Sequence, residues 1–445
     1  MVILLRGGTV VTMDARRSVL RADVLVAEGR VQKIGRVRAR GAKVIECAGK
    51  AIIPGLVQAH VHLCQALFRN QADGLPLLEW LSQHIWPYEA AHDARSLSFS
   101  ARLGIAEMLL GGTTAVLDMA TVHHTEAVLE AAAESGIRYT GGKCLMDVIP
   151  GPLHEEAGAA LEETVALGRK WHGRGLVRWA LCPRFVLSCS EKLLGEVRRL
   201  SESEGWLVHT HASESRTEIE LVRRQTGRDN IEYLADLGLC GPRTVLAHCV
   251  HLSEKEMRLL ASSGTSAVHC PGANLKLASG QQPLPRLLAE GINVALGADG
   301  AACNNTLDAF HEMRLAATLH LPQFGAQAMP ASEVLAMATV RGAKALGLSD
   351  SIGSLEEGKR ADIAVVDLSG PHCQPGGEDL HATIVYCARA SDVTDVLVDG
   401  RPLVRARKLL TLDAAKLAAS AAPEARRVLG RAAAHLPGIG SATPE

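Results

Sequence analysis

The stretch AIIPGLVQAHVH, residues 51–62, decides the fold class. It starts with a short apolar run, turns at a Pro-Gly pair and ends in His60 and His62. Side chains two residues apart on a strand point to the same face, so these two imidazoles can bind one metal ion. An H-x-H pair alone is a weak signal, since many such pairs are structural. The apolar run and the glycine turn before it favour a ligand pair here.

Further polar residues occupy comparable positions downstream. His211, His248 and Asp299 each close a short apolar run, and Glu214 follows His211 closely. An imidazole pair with a third histidine and a carboxylate is an N/O ligand set that suits zinc or iron and leaves room for water. This ordered set predicts a metal-dependent hydrolase.

Ordinary structural roles are also open to these residues. Glu214 could be a solvated loop residue, His248 a buried hydrogen-bonded histidine, and Asp299, which precedes a glycine, a turn residue. A second H-x-H pair, His209 and His211, leaves either histidine open as the ligand. We favour His211, because it lies nearer the C-terminal end of its strand, and interpret His209 as a core residue or a partner of a ligand.

Strand-like and helix-like segments alternate through the middle of the chain. With the apolar run before His60 there are eight strand candidates, and the other seven are Thr114–Asp118, Ile137–Lys143, Val177–Cys182, Leu207–His211, Thr244–His248, Ser266–His269 and Asn293–Gly297. Such alternation indicates parallel strands. Eight of them predict an α/β fold of the (β/α)₈ barrel type, whose chemistry sits at the C-terminal ends of its strands.

Both ends of the chain are instead rich in short strands that are separated by glycine turns. We predict that residues 1–57 plus 351–445 form a small β-sandwich domain with a C-terminal helical tail, and that residues 58–350 form the barrel. The tail after Asp413 is rich in Ala and Arg, which indicates a surface helix followed by a frayed end.

Composition excludes several functional classes. The chain has 445 residues, of which 47% are apolar and 21% charged, as in soluble globular proteins. A net charge of -1, scattered Lys and Arg, and 3% aromatic residues argue against a nucleic-acid partner. No apolar run approaches a membrane span, and Met1–Asp14 lacks a signal-peptide pattern. The 11 cysteines form no C-x-x-C pair, which fits reduced thiols and a cytoplasmic protein. Homo-oligomer formation is left open.

Motifs along nearly the whole chain, residues 1–405, resemble those of the amidohydrolase superfamily in its cytosine-deaminase-like branch. They are Pro54-Gly55-Leu56-Val57 with His60-Val61-His62, His211-Ala212-Ser213-Glu214, Ala247-His248-Cys249-Val250-His251, Gly297-Ala298-Asp299-Gly300, and Ile352–Lys359 with Ala361-Asp362. The motifs are specific as a set, because they fall in order at separate strand ends.

The resemblance implies a role for each residue. His60, His62, His211 and Asp299 would bind one divalent metal ion, zinc first and iron as the alternative. Binuclear members use a lysine on the fourth strand, and Val177–Arg184 contains none, so a mononuclear site is implied. Asp299 would take a proton from water, His248 would orient the nucleophile, and Glu214 would protonate a ring nitrogen.

Four segments bear on the substrate. Trp86-Pro87-Tyr88-Glu89, His269–Lys276 and Gly297–Asn305 resemble 5'-methylthioadenosine/S-adenosylhomocysteine deaminases, in which the residue that matches Glu89 would hold ribose hydroxyls. An exposed residue at a helix start is the alternative for Glu89. Pro183-Arg184-Phe185 resembles guanine deaminase, in which the arginine contacts the purine carbonyl. Cys303 stands where many relatives have serine.

These resemblances imply a hydrolytic deaminase that releases ammonia from an adenine nucleoside, such as 5'-deoxyadenosine, 5'-methylthioadenosine or S-adenosylhomocysteine. Gln65 and Trp80 are further candidates for the lining of the substrate pocket. The alternatives are a guanine deaminase, a triazine or pterin aminohydrolase, and a non-enzymatic scaffold on the same fold. The intact set of ligand residues speaks against the scaffold.

Overall fold

A computed structural model describes residues 1–433 and shows a closed (β/α)₈ barrel joined to a β-sandwich, the predicted fold class. The barrel strands pair in parallel around the ring. They are Leu56–His62, Thr113–Met119, Arg138–Gly142, Val177–Pro183, Leu207–Ala212, Thr244–His248, Ser266–His269 and Val294–Leu296. The short strand Asp299–Gly300 continues the eighth strand and pairs with the first, with Asp299 opposite Val61, which closes the ring.

The first barrel strand differs from the prediction. The run Ala51–Ile53 was counted as that strand, but it lies in Lys50–Pro54, which belongs to the sandwich sheet. The barrel strand is Leu56–His62, so His60 and His62 lie on it rather than after it. A short apolar run fits either sheet equally well, and only tertiary pairing decides between them. This strand also crosses the predicted boundary at residues 57/58, and the two-domain division otherwise stays a prediction.

The junction between the two sheets requires a glycine. A Cβ atom on Gly55 would lie 2.1 Å from the Thr114 side chain, so the chain passes tightly against the second barrel strand. The Gly55 N–H also donates to the Asp362 carbonyl at 2.9 Å. The Pro54-Gly55 pair therefore marks the crossing from one sheet to the other.

Strands from both ends of the chain form one nine-stranded sheet. The two ends join where Lys50–Pro54 pairs antiparallel with Ile363–Asp367. The other strands are Val2–Val11, Val19–Ala27, Arg30–Gly35, Lys43–Glu46, Val393–Val398, Arg401–Arg405 and Lys408–Leu409. Alternate residues face two cores: Ile52 packs in the small core of the sandwich, whereas Ile53 packs in the main core with the barrel.

Helices surround the barrel and cover its rim. The longer ones are Ala94–Leu110, Thr125–Ser135, Ala157–Trp171, Glu191–Glu204, Arg216–Thr226, Glu254–Ser263, Ala309–Thr318 and Ala414–Ala432; shorter ones are Leu63–Phe68, Leu77–Trp80, Leu81–Ile85, Trp86–Ala90, Asn230–Asp236, Pro271–Lys276, Leu284–Ala289, Ala301–Asn304, Leu321–Phe324, Ala331–Met337 and Val340–Ala345. Single short turns at Val186–Ser188, Pro371–Cys373, Leu380–Ala382, Thr383–Cys387 and Ala390–Asp392, and a two-residue strand at Cys144–Leu145 that pairs with Val177–Pro183, complete the described elements. Within residues 1–433, none of the helices combines the length and the hydrophobicity that crossing a membrane requires.

The predicted tail helix is present as Ala414–Ala432 and packs against Ala94–Leu110. Arg431 Nε donates to the Ala91 carbonyl at 2.8 Å and so ties the end of this helix to the barrel. The predicted frayed end lies outside the described residues.

Candidate active site and metal centre

The structure brings the four predicted ligand residues and the predicted catalytic residue His248 together at the C-terminal ends of the first, fifth, sixth and eighth strands. Donor atoms of His60, His62 and His211 all lie within 4.8 Å of one another, and so do those of His60, His248 and Asp299. All five side chains are buried or nearly so. The folded chain therefore assembles the cluster from residues that are up to 239 positions apart in sequence (60 to 299).

The hydrogen bonds of His62 and His211 determine their tautomers. His62 Nδ1 lies 2.9 Å from the Met119 carbonyl, and His211 Nδ1 lies 2.6 Å from the Arg184 carbonyl. A carbonyl oxygen only accepts, so each Nδ1 carries the hydrogen and each Nε2 carries a lone pair. The two Nε2 atoms are 3.1 Å apart. Two acceptors therefore face each other inside the barrel.

His60 reaches the same state through His209. His209 Nδ1 donates to the Val245 carbonyl at 3.0 Å, so its Nε2 accepts from His60 Nδ1 at 2.8 Å. This leaves a lone pair on His60 Nε2, which has no hydrogen-bond partner among the described residues. His209 is thus a fully hydrogen-bonded partner of His60, the role that the sequence favoured for it.

Asp299 adds a carboxylate to this group of acceptors. Its Oδ1 lies 3.2 Å from His60 Nε2 and 3.4 Å from His62 Nε2. Burial raises the pKa of Asp299, but the neighbouring imidazoles outweigh that effect and hold it well below its ordinary value. Burial lowers the pKa of His60 to about 4. The Asp299 carboxylate is therefore ionised next to a neutral His60.

This arrangement of donor atoms suits a metal ion. Three imidazole lone pairs and a carboxylate converge without a hydrogen between them, and buried acceptors without a donor are costly. A divalent cation between His60, His62 and His211 would satisfy their lone pairs, and the Asp299 carboxylate lies next to two of them; nitrogen and oxygen donors suit zinc or iron. His60, His62, His211 and Asp299 thus fit the predicted ligand set.

His248 and Glu214 lie beside the cluster. His248 Nδ1 is 2.9 Å from Asn274 Oδ1, and its Nε2 is 3.5 Å from Glu214 Oε2 and 3.8 Å from Asp299 Oδ2. Burial lowers the pKa of His248, but the two carboxylates raise it above its ordinary value. Burial raises the pKa of Glu214 to about 7. A carboxyl group with that pKa can hold and release a proton near neutral pH.

Strained backbone marks the same strand ends. Ser213, His248, Cys249 and Asp299 have φ angles of 54°, 71°, 47° and 62°, in the left-handed region that residues other than glycine rarely occupy. Each such residue costs on the order of 1–3 kcal/mol. The strained backbone at His248 and Asp299 therefore lowers the stability of the fold while it directs both side chains toward the cluster.

A cavity opens onto the cluster. Of the predicted substrate-binding residues, Gln65, Trp80, Arg184 and His248 line it. Sequence reasoning missed an apolar wall and one acid among the lining residues: Leu77, Leu81, Phe185, Leu277 and Glu218. The pattern Ser215-x-x-Glu218, typical of a capping box, was the available signal for Glu218. The loop leucines carry no comparable local signal.

Glu89 lies behind this lining and is paired. Its Oε2 accepts from Arg184 Nη1 at 2.6 Å, and its Oε1 accepts from Arg184 Nη2 at 3.2 Å and from Gln65 Nε2 at 3.0 Å. Burial raises the pKa of Glu89, but Arg184 outweighs it and keeps that pKa below its ordinary value. Glu89 is only 2% exposed and, in the described part of the chain, is not among the residues that line the cavity.

Comparison with known proteins finds a matching family model and related deaminases that agree with it. The model of the amidohydrolase family matches residues 51–403. A 5-methylthioadenosine/S-adenosylhomocysteine deaminase of Syntrophobacter fumaroxidans is 39% identical, over 92% of this chain and 94% of the relative. A 5'-deoxyadenosine deaminase of Methanothermobacter thermautotrophicus is also 39% identical, over 88% and 91% of the two chains.

A solved structure extends the likeness to three dimensions. It is an adenosine deaminase from Xanthomonas campestris with bound zinc, with a TM-score of 0.92 and 35% identity over 96% of this chain and 98% of that one. With the family model and the relatives in agreement, the predicted fold and family are confirmed. The chain therefore belongs to the amidohydrolase family and is a metal-dependent hydrolase.

Proposed function

We propose that the protein is a hydrolytic deaminase that releases ammonia from an adenine nucleoside of the 5'-deoxyadenosine, 5'-methylthioadenosine or S-adenosylhomocysteine type. The main support for this proposal is that three unprotonated imidazole nitrogens and a carboxylate lie together beside Glu214 and His248. The cavity beside this cluster is lined by both polar and apolar side chains, as small-molecule sites usually are. The names of the relatives at 39% identity support this substrate class.

One divalent ion would be held by His60, His62, His211 and Asp299. Zinc is our first choice, since the similar structure from Xanthomonas campestris contains it, and iron is the alternative. Such an ion supplies a water molecule with a pKa lowered to about 7.

The side chains of this chain would move the protons. Asp299 accepts one proton as water adds to the amidine carbon. His248, whose Nε2 lies 3.8 Å from Asp299 Oδ2, orients the attacking oxygen. Glu214, with its pKa raised by burial to about 7, donates a proton to the ring nitrogen. When the adduct collapses, Asp299 passes its proton to the departing amine and Glu214 regains one from the new hydroxyl. Water and the amidine thus become a carbonyl and ammonia, and both acids are restored.

Substrate recognition would involve Gln65, Trp80 and Arg184, which line the cavity. Glu89 lies behind the lining and both of its oxygens accept from Arg184, so ribose hydroxyls would have to compete with the guanidinium and displace it to reach Glu89. This competition favours one second candidate, a guanine deaminase, in which Arg184 donates to the purine carbonyl. A triazine or pterin aminohydrolase would use the same metal site.

The test is a panel of purines and purine nucleosides scored by ammonia release, together with the metal content of the purified protein. We expect adenine nucleosides to be the best substrates and one equivalent of divalent metal per chain. Faster turnover of guanine would favour the second candidate. Protein that carries no divalent metal and releases no ammonia after metal is added would overturn the proposal.

The free cysteines support a reducing compartment. Within the described residues, which include every cysteine of the chain, no disulfide forms. We therefore keep the cytoplasm as the proposed location, because thiols stay reduced there.

A further inference from the structure

The loop that carries Glu214 runs into a capping box. Ser215 caps helix Arg216–Thr226: its Oγ accepts from the Glu218 N–H at 3.2 Å, and Glu218 Oε2 accepts in return from the Ser215 N–H at 3.3 Å. This reciprocal pair satisfies two donors at the start of the helix. By itself it is an ordinary helix start.

Glu218 makes a further and shorter hydrogen bond. Its Oε2 accepts from the backbone N–H of Glu214 at 2.8 Å, closer than its bond to Ser215. Its other oxygen, Oε1, accepts from the side-chain amide of Asn230, at the start of the next helix. The Glu218 side chain is 1% exposed and faces the catalytic cavity. One buried carboxylate therefore joins the backbone of Glu214 to a neighbouring helix.

The carboxyl group of Glu214 depends on this backbone anchor, because its own contacts are weak. Ser279 Oγ donates to Glu214 Oε1 at 3.3 Å, and His248 Nε2 is 3.5 Å from Oε2. The preceding residue, Ser213, is in the left-handed region with a φ of 54°. Backbone position, rather than side-chain contacts, thus sets where the Glu214 carboxyl group lies.

A second capping box in the same chain provides a comparison. Ser253 caps helix Glu254–Ser263, and Glu256 Oε2 accepts from the Ser253 N–H at 2.9 Å. Glu256 Oε1 accepts from the Ile231 N–H at 3.1 Å, and the side chain is 2% exposed. The chemistry and burial match those of Glu218. Glu256, however, bonds no backbone group of a site residue and does not line the cavity.

We propose that Glu218 is a positioning residue of the deaminase reaction: it extends its capping box onto the Glu214 backbone and thereby holds the Glu214 carboxyl group at the distance that proton transfer to the substrate requires. The proposal rests on the proposed function, in which Glu214 carries the proton. Acceptor oxygens rather than charge do this work, since glutamine also serves at this position of a capping box. Asn230 can accommodate a glutamine at 218, because its Oδ1 is buried without a partner and an amide flip would let it accept.

The first experiment compares single variants. We expect Glu218→Ala to lower kcat by about 100-fold, the scale of a misplacement of about 1 Å, with KM and metal content little changed. Glu218→Gln should restore most of the lost kcat. The matched control Glu256→Ala should lower the melting temperature by a similar amount and leave kcat as in the wild type. A loss of kcat in Glu256→Ala equal to that in Glu218→Ala would reduce Glu218 to a helix cap.

The decisive experiment is a double-mutant cycle. If Glu218 acts through Glu214, adding Glu218→Ala to Glu214→Gln should cost little further activity, because residues that act as a unit are not additive. Full additivity would overturn the proposal. Wild-type kcat in Glu214→Gln alone would instead overturn the role of Glu214, so the two failures are distinguishable.

Asn230 keeps the test open if Glu218→Ala does not fold. Asn230→Ala removes the anchor of Glu218 and leaves its bonds to the loop. We expect a smaller loss of kcat than in Glu218→Ala, again absent in the Glu214→Gln background. A folded Asn230→Ala variant with unchanged kcat would count against the proposal. So would a Glu218→Gln variant that is no more active than Glu218→Leu, which has no acceptor oxygen.

Discussion

The two sides of the catalytic cavity differ in how completely their charges are satisfied. On one side, His60, His62, His211 and Asp299 present acceptors to one another with no donor between them. On the other, the buried Glu89 and Arg184 neutralise each other through two hydrogen bonds. The first side is complete only with a bound cation, whereas the second is complete without any ligand. The first side of the cavity is thus suited to binding a cation, whereas the ion pair on the second side holds the cavity wall in place.

Removal of the metal should have the largest effect. Chelation should abolish ammonia release and lower the free energy of unfolding, because the acceptor cluster loses the cation that satisfies it. A ligand present at about 100 times its Kd contributes about 2.7 kcal/mol. Thermal unfolding with and without chelator, and recovery on adding zinc, provide the measurement. An unchanged melting temperature would mean that the cluster is stable without a cation.

Glu214→Gln should have the next largest effect on activity. The substitution keeps the size of the side chain and the ligands but removes a proton carrier, so we expect kcat to fall by ~10²–10⁴-fold with the metal retained. Metal content by elemental analysis and steady-state kinetics check this. Turnover close to that of the wild type would show that another group protonates the substrate.

The opposite side of the cavity is tested by breaking its ion pair. Glu89→Gln or Arg184→Met alone should cost about 3–5 kcal/mol of stability, because each leaves the other charge buried and unpaired. The double variant should recover much of that loss. Denaturant unfolding of the three variants gives the coupling energy, and an additive cycle would contradict a tightly coupled pair.

The same variants separate the two candidate substrates. Glu89→Ala should lower kcat/KM for nucleosides more than for free bases if Glu89 reads the ribose. Arg184→Ala should lower guanine turnover selectively if the arginine reads a carbonyl. Equal losses on every substrate would assign the pair a purely structural role.

The metal-free protein should also show a pH dependence of stability, with no effect on turnover. Burial raises the pKa of Glu214 from 4.5 to about 7, so between these values the folded chain keeps a proton that the unfolded chain has lost. The stabilising contribution of the protonated group is therefore complete below pH 4.5 and is lost as the pH rises through about 7. Each pKa unit corresponds to about 1.4 kcal/mol. Glu214→Gln should flatten this part of the stability profile, and an unchanged slope would locate the titration elsewhere.

How far the sequence predicts this molecule depends on whether the signal is local. His211, His248 and Asp299 each end an apolar run, so their placement at strand ends followed directly from the pattern. The sheet to which Ala51–Ile53 belongs did not, because the pairing partner, Ile363–Asp367, is far away in sequence. The Glu89–Arg184 pair was hidden for the same reason. Nothing near either residue indicates that their charges meet.

Residues 50–62 run without a break from the sandwich sheet into the first barrel strand, through Gly55. Two of the four proposed ligand residues, His60 and His62, therefore lie on the same extended segment that pairs with the C-terminal strand Ile363–Asp367. Local opening of the sandwich would displace His60 and His62, because they lie on the same segment. Amide protons on both sides of Gly55 should therefore exchange with solvent as one cooperative unit. The position of two proposed metal ligands would then depend on the stability of the sandwich sheet.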